Sequence, residues 1–407
     1  MDILIYILNI IQVIIYLYLA FATVYIFVFA SAGLFYNEKT KLNNEKKRKF
    51  AVLIPGYKED AVIVNVAKQA LNQDYPKDKY EVIVIADSFS KKTLDALSKL
   101  PIRVVVVDFE ISKKSKALNS CMDIIGDNYD VAFILDADNI MNSNVLAKIN
   151  SAFECGFMAV QGHRTAKNLN SSFAILDALS EEINNNIFRK GHRTLGLSSA
   201  LIGSGMGIDY QLYKKVMATV DSVGEDKEVE LKLLKKKYKI EYINSALIYD
   251  EKTAQSKVFV NQRRRWIAAQ VGFFRSHFKD GLKNFVTKGN IDYFDKVVQM
   301  IQPPRILLAG ILTIFSLFSG LLLLPVLSFL QPYFIPHFTY WFVLYILIVI
   351  SLIISIPREF YKIQTLKALF LVPKGFVLML ISLLKIKGAN TKFIHTTHSH
   401  IEDNKNK

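Results

Sequence analysis

Residues 131–139 have the sequence VAFILDADN, in which five apolar residues are followed by two aspartates one residue apart. An unbroken apolar run of this length is typical of a strand buried on both faces, as in a parallel sheet covered by helices. Similar runs precede it, separated by helix-length segments such as Ile63–Asn72 and Lys113–Ile125. The predicted strands are Ala51–Ile54, Glu81–Ala86, Arg103–Val107 and Val131–Leu135. This alternation predicts βαβ units and an α/β domain with a mainly parallel sheet over residues 50–250.

Polar residues follow the predicted strands at their carboxyl ends, where ligands bind to sheets of this kind. They are Gly56–Asp60, Asp87–Ser88 and Asp136–Asn139. The chain has neither a P-loop nor a glycine-rich dinucleotide motif after the first strand, which argues against P-loop nucleotidases and dinucleotide-dependent oxidoreductases. A metal ion is therefore the candidate partner for an anionic ligand.

Two acidic motifs are candidates for chemistry. Asp136 and Asp138 could hold Mg²⁺ or Mn²⁺, because such ions use one or two carboxylates together with substrate phosphates. The alternative is a solvated turn with the same residues. Glu225 and Asp226 precede a helical pattern, and their alternative role is to stabilise the first turn of that helix.

Residues 262–266 have the sequence QRRRW, which places three arginines beside a tryptophan. These side chains could form a planar clamp for a diphosphate next to an aromatic platform for a sugar. The alternative is a basic stripe that faces a membrane, with the tryptophan at the interface.

Both ends of the chain are apolar enough to enter a membrane. The predicted spans are Ile3–Ala30, Ile306–Leu330 and Phe338–Ile356. The first is not predicted to be a signal peptide, because no basic segment precedes it and no cleavage site interrupts it. The run Ala368–Leu384 contains Pro373 and Lys374, so we expect it to lie flat on the membrane surface.

These patterns predict five segments. They are an N-terminal transmembrane helix (1–36), a cytosolic domain (50–250), amphipathic interfacial helices (251–303), two transmembrane helices (304–357), and an interfacial helix with a cytosolic tail (358–407).

The basic residues predict the orientation. Six of them lie between Lys39 and Lys49, directly after the first span, whereas Pro325–His337 contains none. The positive-inside rule therefore puts the N-terminus outside a multi-pass plasma-membrane protein and the middle of the chain in the cytosol.

The net charge of +15 is explained by an attraction to anionic lipid headgroups, so we do not predict nucleic-acid binding. Cys121 and Cys155 fit no metal motif and are expected to be core thiols.

Taken in order, several of these segments resemble the family-2 glycosyltransferases, in particular the membrane-integrated processive branch with cellulose and hyaluronan synthases. The resemblance covers about Ala51 to Trp266. It is carried by VLIPGYKE (52–59), ADS (86–88), KSKALN (114–119), DAD (136–138), GSG (203–205), GED (224–226) and QRRRW (262–266). It implies a GT-A-like cytosolic domain that binds a nucleotide sugar, together with transmembrane and interfacial helices.

The resemblance also implies roles for individual residues. Asp226 would be the general base on the acceptor hydroxyl, with Glu225 beside it, and the anomeric carbon would be inverted. Asp138 and Asp136 would face the diphosphate and hold Mg²⁺ or Mn²⁺. Lys116 would contact the donor phosphate, although Ser115 stands where the family usually has glycine. The other implied substrate-binding residues are Tyr57, Glu59, Asp87, Gly203, Ser204, Gln262, Arg264, Arg265 and Trp266.

Three functions follow as hypotheses, and the sequence favours the first of them over the second. The first is processive synthesis of a polysaccharide from a nucleotide sugar, expected to be a UDP-sugar, and the QRRRW motif favours it. The second is the addition of one sugar to a lipid such as polyprenyl phosphate or diacylglycerol, which the low number of spans favours. The third is an inactive transport or scaffold protein, against which the intact Asp138, Asp226 and Arg265 argue.

A homo-oligomer or an export partner is left open. His163 and Arg164 are expected to follow a strand, and His395, His398 and His400 are not predicted to bind a metal.

Overall fold

The computed structural model describes residues 2–40, 46–222, 224–252 and 256–385, without the side chains of 2 and 256–262. Eight strands form one sheet: β1 (Phe50–Tyr57), β2 (Tyr80–Asp87), β3 (Arg103–Val107), β4 (Val131–Ile134), β5 (Ile140–Met141), β6 (Ala159–Ala166), β7 (Met206–Asp209) and β8 (Ile240–Asp250). All four predicted strands are present, and the first two extend further than predicted. The predicted α/β class is confirmed.

The sheet has the order β3-β2-β1-β4-β7-β6-β8-β5. Its first four strands are parallel, as expected for βαβ units. The second half is mixed, because β7 runs antiparallel to both β4 and β6, while β6 and β8 are parallel. A bulge between Gly162 and His163 interrupts the pairing of β6 with β8. The sheet is therefore parallel over the four predicted strands and mixed beyond them.

Helices cover both faces of the sheet. They are α2 (Ile63–Ala70), α3 (Lys91–Leu97), α4 (Lys114–Ile125), α5 (Val145–Glu154), α6 (Ser172–Asn185), α7 (His192–Thr194), α8 (Tyr210–Met217) and α9 (Glu225–Lys235). One hydrophobic core includes α4, α8 and α9, and a second core includes α2 and α5. Helix α9 has acidic residues in its first turn and lysines in its last, which matches the helix dipole.

The remaining helices are α1 (Asp2–Gly33), α10 (Ser256–Lys288), α11 (Ile291–Gln299), α12 (Arg305–Leu321), α13 (Phe338–Ile354), α14 (Ile363–Leu369) and α15 (Val372–Leu384). In the described residues, α1 is the one unbroken helix that is long and apolar enough to cross a membrane. Up to three spans result if each bent pair of helices is counted as one span: the 3₁₀ segment Pro325–Tyr333 with α13, and α14 with α15.

Two predicted membrane segments differ from the observed helices. The predicted span Ile306–Leu330 is not one helix, because α12 ends at Leu321 and Pro325 begins a 3₁₀ segment that meets α13 at an angle of 87°. The 17 residues of α12 extend about 25 Å, against about 30 Å of hydrocarbon. The run Ala368–Leu384 is shared by α14 and α15, which meet at 46°. The tail after Lys385 lies outside the described residues.

A π-helix at Asn186–Gly191 packs the α/β domain against α1. The amide of Asn186 donates to the carbonyl of Ala30 and to Ser355 Oγ, each at 3.0 Å. A Cβ atom on Gly191 would lie 2.0 Å from the carbonyl oxygen of Phe29, so only glycine allows this contact. The α/β domain is thereby held against two apolar helices.

Candidate active site

The ends of β1 and β2 form one side of the candidate site. Tyr57 and Asp87 are direct neighbours in the parallel register. Asp87 is 3% exposed and accepts a hydrogen bond from Ser88 Oγ at 2.9 Å. Lys58 donates its backbone N–H to the carbonyl of Asp87, and Glu59 is buried beside it. Tyr57, Glu59 and Asp87, which were expected at a nucleotide pocket, therefore lie together at the carboxyl ends of β1 and β2.

The DAD motif follows β4 and is held by the buried side chain of Asn139. Asn139 Nδ2 donates to Asp138 Oδ1 at 3.1 Å and to Asp250 Oδ1 at 2.9 Å. Asn139 Oδ1 accepts from Ser204 Oγ at 2.6 Å. Asp138 is 9% exposed and the Asp136 side chain is 30% exposed, so the turn that follows β4 buries one of its two carboxylates. The sequence placed Asn139 at this strand end but gave it no role, and it did not identify Asp250, because the pairing of the two residues depends on the sheet.

The turn Gly203-Ser204-Gly205 lies between the DAD motif and the acidic residues at the start of α9. Both glycines have positive φ angles, +78° and +67°, which favour glycine. Ser204 Oγ accepts from the backbone N–H of Asp136 at 3.0 Å. A Cβ atom on Gly203 would lie 3.6 Å from Asp226 Cβ and 3.6 Å from Lys114 Nζ. Residues far apart in the sequence thus meet around Gly203.

Lys114 is the cation at the centre of the site, which corrects the expectation for Lys116. Lys114 Nζ lies 2.5 Å from Asp136 Oδ1, 3.3 Å from Glu225 Oε1 and 2.9 Å from the carbonyl oxygen of Gly203. Burial alone would lower the pKa of Lys114, but Asp136 and Glu225 raise it above its ordinary value. Lys116 is exposed, and its Nζ lies 3.3 Å from the carbonyl oxygen of Ile111.

Helix geometry explains this difference between the two lysines. Lys114 is four residues before Leu118 and seven before Cys121, both of which are buried, so these three side chains share one face of α4. Lys116 is two residues further along and points to the opposite side. The helical period could have identified Lys114 from the sequence.

Glu225 and Asp226 begin α9 and face the same crevice. Burial raises the pKa of Glu225; Lys114 lowers it, whereas Asp226 and Asp136 raise it. Gly224 precedes α9, and a Cβ atom there would lie 3.3 Å from the ring of Phe273 on α10. Glu225 and Asp226 can therefore stabilise the first turn of α9 and also take part in the site.

The QRRRW motif lies on α10, seven residues before Phe273. Arg263 Nη2 bonds to Asp177 Oδ1 at 2.9 Å, and its guanidinium lies 4.5 Å from the ring centre of Trp266. Trp266 is 49% exposed. Arg264 and Arg265 are half-buried, and burial lowers the pKa of Arg265. The side chain of Gln262 lies outside the described residues.

Other candidates from the sequence lie elsewhere. His163 and Arg164 do not follow a strand but lie inside β6, where His163 Nε2 contacts Glu182 at 3.0 Å and Arg164 Nη2 donates to Glu181 at 2.8 Å. Cys121 is a buried free thiol and Cys155 is half-buried. His395, His398 and His400 lie outside the described residues.

Asp136 and Asp138 have the donor atoms that a divalent cation requires. Among the described residues, no group of three or more His, Cys, Asp or Glu side chains could hold a metal ion by itself. Mg²⁺ and Mn²⁺ need only one or two carboxylates where phosphate oxygens complete the coordination. The oriented carboxylate of Asp138 fits such an ion.

Comparison with known proteins gives consistent results. Residues 47–269 match the family model described as glycosyltransferase like family 2. A probable glycosyltransferase of Bacillus subtilis, YdaM, is 28% identical over 246 residues, which are 56% of this chain and 56% of that protein. A beta-monoglucosyldiacylglycerol synthase of Trichormus variabilis is 24% identical over 233 residues, which are 55% of this chain and 49% of that protein. The chain thus spans about half the length of the curated relatives it matches.

The fold is similar to that of a solved mannosyltransferase, PcManGT from Pyrobaculum calidifontis in complex with GDP-Man and Mn²⁺. The TM-score is 0.50 at 15% identity, over 85% of this chain and 99% of that chain. This likeness supports the GT-A-like arrangement of the mixed sheet. Because the family model matches more than half of the chain, the protein belongs to glycosyltransferase family 2.

Proposed function

We propose that the protein transfers a sugar from a nucleotide-diphosphate donor, expected to be a UDP-sugar, to an acceptor at the cytosolic face of a membrane. The observation that carries the proposal is the meeting of a carboxylate and a lysine around Gly203. Asp226 Cβ and Lys114 Nζ would each lie 3.6 Å from a Cβ atom placed on Gly203. Asp226 would thus serve the acceptor and Lys114 the donor phosphates in one crevice, together with Asp138.

The donor would lie along the strand ends. Tyr57, Glu59 and Asp87 would contact the nucleoside, and Lys114 would pair with the diphosphate. Mg²⁺ or Mn²⁺, held by Asp138 and Asp136, would neutralise charge on the leaving diphosphate. Lys114 now bonds to Asp136, so a diphosphate in the crevice would compete for this lysine.

Asp226 would act as the general base. It would take the proton of the acceptor hydroxyl, whose oxygen then bonds to the anomeric carbon of the sugar. The bond from that carbon to the diphosphate breaks, and the nucleoside diphosphate leaves with the electron pair. This single displacement inverts the anomeric carbon. Glu225 would hold Lys114 in place, and Arg264, Arg265 and Trp266 would close over the diphosphate and the acceptor.

Two acceptors are supported by different observations. A lipid is supported by the relative named beta-monoglucosyldiacylglycerol synthase and by the single unbroken span among the described residues. A growing polysaccharide is supported by the QRRRW motif on α10. We favour the lipid, because one unbroken span and up to two bent ones among the described residues provide little material for a polymer channel. The proposed topology keeps the N-terminus outside and the catalytic domain in the cytosol.

Incubation of the purified full-length protein with a panel of UDP-sugars and GDP-sugars tests this function. Each reaction would contain membrane lipids with Mg²⁺ or Mn²⁺, and a parallel reaction would contain excess EDTA. Released nucleoside diphosphate and product mass would be measured together. One or two sugars on a lipid support the lipid acceptor, and a ladder of masses supports the polysaccharide. If no donor releases its nucleoside diphosphate, the proposal is wrong.

A further inference from the structure

Five cationic side chains surround α6 and the π-helix that follows it. We call them the α6 cation cluster: Arg164, Arg189, Lys252, Arg263 and Arg305. None of them belongs to the site around Gly203. They come from β6, the π-helix, the segment after β8, α10 and the first residue of α12.

The carboxylates around the α6 cation cluster are fewer than its cations. Glu181 is shared by three of them, at 2.8 Å from Arg164, 3.5 Å from Lys252 and 3.7 Å from Arg189. Asp250 contacts Lys252 at 2.7 Å and Arg164 at 3.8 Å. Asp177 pairs with Arg263 at 2.9 Å. Among the described residues, three carboxylates therefore lie within ion-pair distance of four of the five cations, and the cluster has excess positive charge.

Arg305 is the cation that the carboxylates do not reach. Its Nη2 donates to the carbonyl of Ser180 at 3.0 Å and to Ser180 Oγ at 3.3 Å. In the parts of the chain that the structure describes, no carboxylate lies within ion-pair distance of Arg305, and its buried Nη1 has no hydrogen-bond partner. Arg189 is 2% exposed, and its Nε also has no partner there. Unsatisfied buried donors on charged groups are costly, so they indicate a missing anionic partner.

The position of the cluster indicates what kind of anion this is. Arg305 is the first residue of α12, an apolar helix. Arg263 stacks on Trp266 of the QRRRW motif. Lys374 of α15 lies 5.5 Å from the ring centre of Phe173, which is one helical turn before Asp177 on the same face of α6. An anion bound here would have the catalytic domain on one side and apolar helices on the other, which suits a charged headgroup with an apolar tail.

We propose that the α6 cation cluster binds the phosphate of an anionic lipid, with Arg305 as its main contact. Arginine suits this role because its planar fork of donors matches phosphate oxygens. The inference rests on the proposed function and narrows its lipid acceptor to one that carries a phosphate. Diacylglycerol, the lipid in the name of one relative, has no phosphate, so the acceptor of this chain would differ from it.

Native mass spectrometry of the full-length protein in detergent tests the proposal. The probes are dioleoyl phosphatidic acid and dioleoylglycerol, which have the same acyl chains and differ in the phosphate. We expect the wild type to bind phosphatidic acid at least about tenfold more tightly than dioleoylglycerol. Arg305→Gln should lose this preference. Arg358→Gln should keep it, because Arg358 is an exposed arginine on the segment that follows α13.

Several outcomes would overturn the proposal. Equal binding of the two lipids to the wild type would exclude a phosphate site, and equal losses in the two variants would indicate unspecific attraction. If inorganic phosphate displaces phosphatidic acid at equal concentration, the site takes free phosphate and not a lipid. The assay contains no sugar donor, so a protein that binds the lipid through Arg305 but transfers no sugar contradicts the proposed function alone.

A second measurement needs no variant and covers the case in which Arg305→Gln fails to fold. Hydrogen–deuterium exchange of the wild type would be compared with phosphatidic acid and with dioleoylglycerol. Phosphatidic acid should protect the backbone amides of the π-helix Asn186–Gly191 and of the start of α12. Equal protection by both lipids at these amides would refute the phosphate site.

Discussion

Replacing either of two neighbouring lysines with methionine distinguishes the lysine that the structure places in the site from the one that the sequence suggested. Lys114→Met and Lys116→Met each remove one positive charge from the same turn of α4 and keep most of the apolar stem. Lys114 Nζ lies 2.5 Å from Asp136 and 3.3 Å from Glu225, and its side chain is 24% exposed. Lys116 is exposed and has a single long contact with a carbonyl oxygen.

The size of the effect follows from this difference. A hydrogen bond to a charged group contributes about 1.5–3 kcal/mol, and about 1.4 kcal/mol is a factor of ten in affinity. Lys114→Met should therefore weaken the binding of a nucleoside diphosphate roughly 10- to 150-fold. It also leaves Asp136 and Glu225 without their shared cation, which adds repulsion against the diphosphate. Lys116→Met should change the affinity by less than about twofold, because exposed charges contribute little.

Equilibrium binding of UDP and GDP in the presence of Mn²⁺ measures these affinities, for example by isothermal titration calorimetry. Thermal unfolding of both variants serves as the control for folding. If Lys116→Met weakens binding and Lys114→Met does not, the structural assignment of the donor-binding lysine is wrong. Equal losses in both variants would mean that the effect is one of general charge.

Three further changes test other parts of the account. Asp138→Ala should abolish turnover, as should excess EDTA, because no phosphate-binding loop replaces the cation; full activity in either case would contradict the metal site. Asn139→Ala should raise the Mn²⁺ concentration needed for nucleotide-dependent binding about 10- to 100-fold, since Asn139 orients Asp138; an unchanged Mn²⁺ titration, followed by electron paramagnetic resonance, would show that Asn139 has no such role. A cysteine at Asn404, beyond the described residues, should react with impermeant thiol reagents only after cells are permeabilised; labelling of intact cells would place the tail outside.

The sheet and the location of the site could be predicted because local patterns determine them. The apolar runs before Asp87 and Asp136 have no polar interruption, so a buried parallel strand was the simplest structure for each. The direction of β7 could not be predicted in this way. It depends on how Gly203-Ser204-Gly205 turns against the end of β4, and this turn is set by hydrogen bonds with Asn139 and Asp136.

The sequence contained signals for two features that the predictions got wrong: the lysine that lies in the site and the end of α12. Lys114 and Lys116 carry the same charge, and only the helical period shared with Leu118 and Cys121 separates them. The end of α12 at Leu321 is marked by Pro325, since helices usually end before the residue that precedes a proline. An apolar run alone does not show where its helix stops.

The π-helix had no such signal. Its residue Asn186 bonds to Ala30 and to Ser355, which are 156 and 169 residues away in the sequence. The α6 cation cluster is equally non-local, because Arg164, Arg263 and Arg305 come together only when β6, α10 and α12 pack around α6. Features of this kind depend on tertiary contacts that a single sequence does not contain.

Asp226→Asn separates a general base from a residue that only stabilises a helix. Asparagine keeps the shape of the side chain but cannot accept the proton of the acceptor hydroxyl. Donor affinity and the rate of sugar transfer in a single turnover would be measured on the same preparations. If Asp226 takes this proton, donor affinity should stay within about threefold of the wild type and transfer should be slower by about 10² or more. Transfer at a rate near that of the wild type would show that Asp226 only stabilises the first turn of α9.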